Sequence, residues 1–169
     1  MRKKLTMQKH FDLEDFNKKI LTNLDSKKLI ARWKRENQKI IFTNGCFDIF
    51  HYGHLHILYQ SKRLGDKLIV GLNDDESIRS IKGIQRPIHN QKQRSAILSA
   101  ISFVDLIIIF SEKTPIKLIK TIKPCVITKG SDYKVSEVVG GVEVINWGGR
   151  VTLIPLIKDL SSTRILKEI

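Results

Sequence analysis

The sequence predicts an α/β fold, a doubly wound, five-stranded parallel sheet over residues 39–169 preceded by a helical extension over residues 1–38. Three observations predict it. Five short segments read as near-continuous runs of Ile, Val and Leu, the pattern of strands buried on both faces. A helix-patterned stretch follows each of them, and strands alternating with helices imply right-handed crossovers and a parallel sheet. The chemically suggestive segments all fall just past the carboxyl end of a run, where open α/β sheets bind ligands.

Taken in order, Asp12 is placed to cap a helix with Leu13, Phe16, Ile20 and Leu21 on one side. Asp25-Ser26 is placed to cap a second, with Leu29, Ile30 and Trp33 on one face, and both would pack outside the core. The strands are expected at 40–43, 67–73, 105–110, 126–129 and 151–154. Helices are expected near 54–64, 75–81, 90–100, 115–121 and 140–147, with a last one from Ser162. No internal repeat, low-complexity tract or linker interrupts this order.

Composition narrows the class. A chain of 169 residues with 41% hydrophobic and 28% charged residues has the balance of a soluble globular domain. Its longest apolar run, 106–110, is far short of a membrane span, and no hydrophobic signal core follows Met1-Arg2-Lys3-Lys4. Cys46 and Cys125 have no CxxC spacing, so neither a disulfide nor a zinc site is expected, and a cytoplasmic location follows. The net charge of +13 raises nucleic acid as a partner. More than half of it, +7, falls in residues 1–40, and the cations are scattered lysines without aromatic interleaving. The charge is therefore read as a solvated surface that steers a small polyanion, with no nucleic-acid or membrane partner.

The most informative stretch is KIIFTNGCFDIFHYGH, residues 39–54. A strand, a tight turn at Thr43-Asn44-Gly45 and a helix opened by His51-Tyr52-Gly53-His54 would place unpaired backbone N–H groups where a phosphate can sit. His51 and His54, three apart on one face, lie about 5–6 Å apart at Cβ, and Gly53 leaves the backbone open. Such donors suit a transferring phosphoryl or nucleotidyl group, whose charge spreads over equatorial oxygens. The competing interpretation is a pair of surface or core histidines, or a metal cluster with His56. No Cys or carboxylate completes a zinc set. Asp48 could anchor the loop or face a divalent cation. GxxxxGK[ST] and GxGxxG are both absent, which disfavours the common kinase and dehydrogenase folds.

Three further segments carry candidates. Lys82-Gly83-Ile84-Gln85-Arg86-Pro87 could swing onto a phosphate tail or be a solvated basic turn, and Gln93-Arg94 could serve in the same way. Lys129-Gly130-Ser131-Asp132-Tyr133 could form a purine or ribose shelf or a plain loop. Leu160-Ser161-Ser162-Thr163-Arg164 offers either an ordinary N-cap or a triphosphate cradle.

Together TNGCFDIFHYGH, KG..RP, QR, KGSDY and SST resemble the HxGH nucleotidyltransferases of the cytidylyltransferase-like branch, in order and at natural spacing. Within it the chain is most similar to the heptose 1-phosphate adenylyltransferases, through TNGCFD, KGSDY and VGGVEVINWGGRV. The resemblance implies a Rossmann-like nucleotidyltransferase fold and transfer of AMP from ATP, with Mg²⁺, to D-glycero-β-D-manno-heptose 1-phosphate. It implies catalytic roles for His51, His54 and Lys82. It implies nucleotide contacts from Thr43, Asn44, Gly45, Cys46, Phe47, Gly53, Asn73, Arg86, Lys129, Gly130, Asp132, Tyr133, Ser162 and Thr163. Asp48 and Arg94 are candidates for the acceptor, and no protein metal ligand is expected. A homodimer and a separate upstream sugar kinase are also implied. The chain departs from the pattern at Ser131 and near Asp159, where glycines are common. Glycerol-3-phosphate cytidylyltransferases instead begin with a YGTFD-like turn and carry an arginine where Leu156 stands. A CTP-dependent enzyme acting on such an alcohol phosphate is the alternative, and a nucleotide- or nucleic-acid-binding module without turnover is the reading from outside enzymology.

Overall fold

The computed structural model describes residues 18–157. In chain order the elements are α1 (Asn23–Arg35), β1 (Ile40–Gly45), α2 (Tyr52–Lys62), β2 (Lys67–Asn73), α3 (Asp75–Lys82), α4 (Gln91–Ala100), β3 (Leu106–Phe110), α5 (Ile116–Ile122), β4 (Val126–Gly130), a 3₁₀ turn at Val135–Glu137, α6 (Gly141–Asn146) and β5 (Arg150–Ile154). The five strands form one sheet in the order β3-β2-β1-β4-β5, every pairing parallel. The sheet is the five-stranded parallel one expected, with helices on both faces.

The period of two along each strand sorts its side chains between two cores. Ile40 and Phe42 of β1 join Ile30 and Trp33 of α1, Ile119 and Ile122 of α5 and Val144 of α6 on one face. Ile41 joins Leu58 of α2 and Leu98 of α4 on the other. Burial on both faces is why the strands read as unbroken apolar runs rather than alternating ones. The winding reverses between β1 and β4. A crevice therefore opens beyond the carboxyl ends of these two strands.

Three details differ from expectation. β1 continues through Asn44 and Gly45, which pair with Gly71 and Leu72, so the turn comes later, at residues 46–50. There Phe47 and Ile49 take φ of 46° and 49°. Left-handed backbone at a bulky or β-branched residue is strained, and such strain concentrates at functional sites. Helix α1 is capped not by Asp25-Ser26 but by Thr22, whose Oγ1 accepts the Asp25 N–H at 3.3 Å. Ile20 and Leu21, expected on a helix, run extended beside β3, Ile20 bridging Ile107 and the Leu21 N–H donating to the Ile107 carbonyl. Backbone pairing with an open sheet edge outweighs the weak helical pattern there. The rest of that expected helix and the last helix from Ser162 lie outside the described residues.

Candidate active site

The passage from β1 to α2 builds the site. His51 is the N-cap of α2. Its Nδ1 accepts the Gly53 N–H at 3.1 Å, and His54 Nδ1 accepts the His51 N–H at 3.4 Å, a reciprocal capping box made of two imidazoles. The rings stack at 3.9 Å between centroids and 26° between planes. Phe47 and Phe50 pack against His54 at 5.3 and 5.5 Å. The His51 and Gly53 amides, expected to be free for a phosphate, are thus taken by the histidines themselves.

That bonding decides the tautomer. A neutral imidazole that accepts at Nδ1 carries its proton on Nε2, so each ring keeps an N–H donor at Nε2. Burial lowers the pKa of both. His54 is held at about 3, by burial first, then by His51 and Lys82, with Asp48 opposing. His51 is lowered by burial. At neutral pH the pair donates hydrogen bonds without carrying charge.

A cleft of about 410 Å³ opens at the β1/β4 reversal. Thr43, Asn44, Gly45, Cys46, Phe47, Asp48 and His54 line it from the β1 side. Asn73, Lys129, Gly130, Asp132 and Tyr133 line it from the neighbouring strand ends, and Lys82 from the end of α3. Within this lining Thr43 is inward-facing, its Oγ1 donating to the Thr128 carbonyl at 3.2 Å, and Asn73 Nδ2 donates to Ser77 Oγ at 3.3 Å. Lys129 donates to the Asn44 carbonyl at 2.9 Å and lies 5.4 Å from the Tyr133 ring centroid. Burial lowers its pKa to about 8 against the opposing pull of Cys46 and Asp132. A Cβ on Gly130 would stand 2.5 Å from Asp132 Oδ1 and 2.8 Å from Leu156 Cδ2, so a side chain there would displace the ends of both.

The remaining predicted residues are placed differently. Both Asp48 oxygens turn away from a ligand role: they accept the Ile88 and His89 amides at 3.0 Å and pair with Arg86 Nη2 at 3.0 Å. Arg86, expected on the nucleotide, gives Nη2 to that pair, while its Nη1 is buried without a hydrogen-bond partner. Arg94, expected to reach a substrate phosphate, is fully buried. Its guanidinium donates to the Cys46 carbonyl at 2.7 Å, the His89 carbonyl at 2.9 Å and Asp75 Oδ1 at 2.8 Å. A guanidinium enclosed in this way cannot touch a ligand. Gly53 is buried in the first turn of α2, and Ser162 and Thr163 lie outside the described residues. Among the described residues no group of three or more His, Cys, Asp or Glu side chains converges so as to hold a metal ion. No helix there is long and apolar enough to cross a membrane.

The cytidylyltransferase-like family model matches residues 42–168, most of the chain. The chain belongs to the cytidylyltransferase-like family. This nucleotidyltransferase is 43% identical over 150 residues, 89% of its length, to the bifunctional protein HldE of Koribacter versatilis. It is 44% identical over 161 residues, 95% of its length, to that of Campylobacter jejuni subsp. jejuni. It spans about a third of the length of these curated relatives, 31% and 33%. Among solved structures it resembles the lipopolysaccharide core biosynthesis protein of Thermoplasma volcanium, with 33% identity and a TM-score of 0.59 over 72% of this chain and 98% of that one. Its fold is shared by the pantoate–β-alanine ligase of Francisella tularensis, at 18% identity and a TM-score of 0.60 over 87% and 75% of the two chains.

Some of the lining of this cytidylyltransferase-like cleft escaped sequence reasoning. Lys113, Thr114 and Pro115 face it from the segment after β3, and Glu137, Val138 and Val139 from the 3₁₀ turn. The first group carries a usable signal, a lysine just past the carboxyl end of a strand. Val138 and Val139 carry none, because apolar residues in a loop do not announce which surface they cover.

Proposed function

We propose that the chain transfers AMP from ATP to a sugar 1-phosphate, D-glycero-β-D-manno-heptose 1-phosphate, yielding ADP-heptose and pyrophosphate. An acceptor phosphate oxygen attacks the α-phosphorus in line, and the bond from that phosphorus to the pyrophosphate oxygen breaks. The Nε2–H groups of His51 and His54 donate to oxygens on which charge builds, a role for which uncharged, pre-aimed donors in a partly closed site are suited. Lys82 and Lys129 supply the fixed positive charge that the neutral imidazoles do not. The observation that carries the reading is the stacked histidine pair at the β1/β4 reversal, with both Nδ1 atoms engaged. The similarity to HldE proteins and to a lipopolysaccharide core biosynthesis protein supports the choice of acceptor.

Mg²⁺ fits this reading as part of the nucleotide, since it is usually held by substrate phosphates, water and at most one or two carboxylates. Asp132 and Glu137, which line the cleft, are the carboxylates within it that such a complex could meet, because the Asp48 oxygens are occupied. The bound ion would neutralise phosphate charge. A cytoplasmic homodimer fed by a sugar kinase completes the proposal.

Pyrophosphate release with purified protein, Mg²⁺, ATP or CTP, and the heptose phosphate or glycerol 3-phosphate tests it. Release with ATP and the heptose is the expected result. Release with CTP alone, which the family description keeps in view, moves the chain to a sister activity. No release with any pair leaves the non-enzymatic binding module.

A further inference from the structure

Two buried ions of opposite sign hold the same piece of backbone. At His89 the N–H is bound by Asp48 at 3.0 Å and the carbonyl by Arg94 at 2.9 Å. Asp48 also binds the Ile88 amide and Arg86, while Arg94 also binds the Cys46 carbonyl and Asp75. Cys46 and Asp48 belong to the turn that delivers His51 and His54. Asp75 is the first residue of α3, and Lys82 is its last. Residues 83–89 continue from Lys82. The two ions therefore join the histidine-bearing turn to both ends of the segment that carries the cleft lysine.

Left to itself, the part of that segment beyond Lys82 has little reason to hold its shape. Gly83 sits at φ 95° with open space where a side chain would be, and Ile84 is 86% exposed. Arg86 Nη1 and His89 Nδ1 are buried without a hydrogen-bond partner, an unfavourable arrangement that persists only when neighbours impose it. Asp48 and Arg94 are those neighbours. Lysine could not replace Arg94, because a single ammonium cannot reach three acceptors set around a planar fork.

We infer that Arg94 and Asp48 are positioning residues, a clasp that fixes Lys82 and the 83–89 segment relative to His51 and His54. Arg94 touches no ligand and acts through the groups it holds. That the held groups act on a triphosphate rests on the function proposed above. The clasp itself does not.

Amide hydrogen exchange on the full chain tests the clasp without turnover. Arg94→Lys and Asp48→Asn should each speed exchange at Ile88 and His89 by about tenfold or more, as expected when a segment opens locally. The Leu68 amide, bound by Asp105, should be unmoved. Unchanged protection at Ile88 and His89 in both variants overturns the inference. In pyrophosphate release both variants should lose about 10²-fold in kcat, the scale of a roughly 1 Å misplacement. KM for ATP should stay within about threefold, and kcat is taken per folded molecule, since loss of folded protein by itself lowers apparent kcat at constant KM. A wild-type kcat in Arg94→Lys overturns the positioning role even if the segment loosens. If the unmodified chain releases no pyrophosphate from any pair, the proposed function falls, and exchange alone decides the clasp.

Discussion

Asp48 and Asp105 stand at opposite poles of the sheet and make similar bonds. Asp48, beyond the carboxyl end of β1, takes two amides and an arginine. Asp105, before the amino end of β3, takes the Leu68 amide at 2.8 Å, Lys62 at 2.6 Å and Lys67 at 3.8 Å. They differ in setting. The Asp48 side chain is 1% exposed and the Asp105 side chain 20%. One fastens a cleft wall that would otherwise be free to move, and the other fastens the last residue of α2 to strands that are already paired. The same chemistry serves geometry at one pole and attachment at the other. What separates them is how much else holds the backbone in place.

The sharpest way to break this comparison is to act on the donors that the cleft pole presents. His51→Ala or His54→Ala should lower kcat by about 10²-fold or more, the scale of removing one pre-aimed donor. Asp105→Asn should leave the rate alone, and steady-state pyrophosphate release checks both. Next in size is stability. Arg94→Met strands Asp75 and the Cys46 and His89 carbonyls and should cost about 3–5 kcal/mol, whereas Lys62→Met, which removes a part-exposed pair, should cost about 1 kcal/mol or less. Urea unfolding measures the difference.

Acid sharpens the comparison further. Burial pushes Asp48 up, but the His89 and Ile88 amides together with Arg86 and Arg94 outweigh it, and its pKa lies below the ordinary 3.8. Its contribution is complete above 3.8 and is lost as pH falls through the lower folded value. His54, lowered from 6.5 to about 3, adds a second slope, with stability declining as pH drops across that interval. Asp48→Asn should remove the steeper acid end of the urea-unfolding profile and leave the histidine slope. The smallest effect concerns Lys129. With a pKa of about 8, it loses charge between pH 7 and 9, so KM for ATP should rise over that range. Lys129→Met should flatten the rise.

Strands β1 to β4 were legible because burial on both faces leaves mostly Ile, Val and Leu to read. The histidine pair was legible because a three-residue spacing on a first helical turn has few other uses. Arg94 was misread, although its position four residues before the core residue Leu98 places it on the buried stripe of α4. A charged residue on a core stripe points to a buried ionic tie before it points to a ligand. The extended course of Ile20 and Leu21 was not legible, because it depends on an edge of β3 that the local sequence does not contain.

The stacked histidines, of which His54 lines the cleft, also close the first turn of α2. Activity and folding therefore share a single inheritance at these two positions. A lineage that drifted away from turnover could replace the capping ring only with one of the few side chains that cap a helix, so selection for a stable fold alone would slow the decay of the motif. For the experimenter the same overlap means that alanine confounds chemistry with helix formation. Asparagine at position 51, which caps a helix well, separates them.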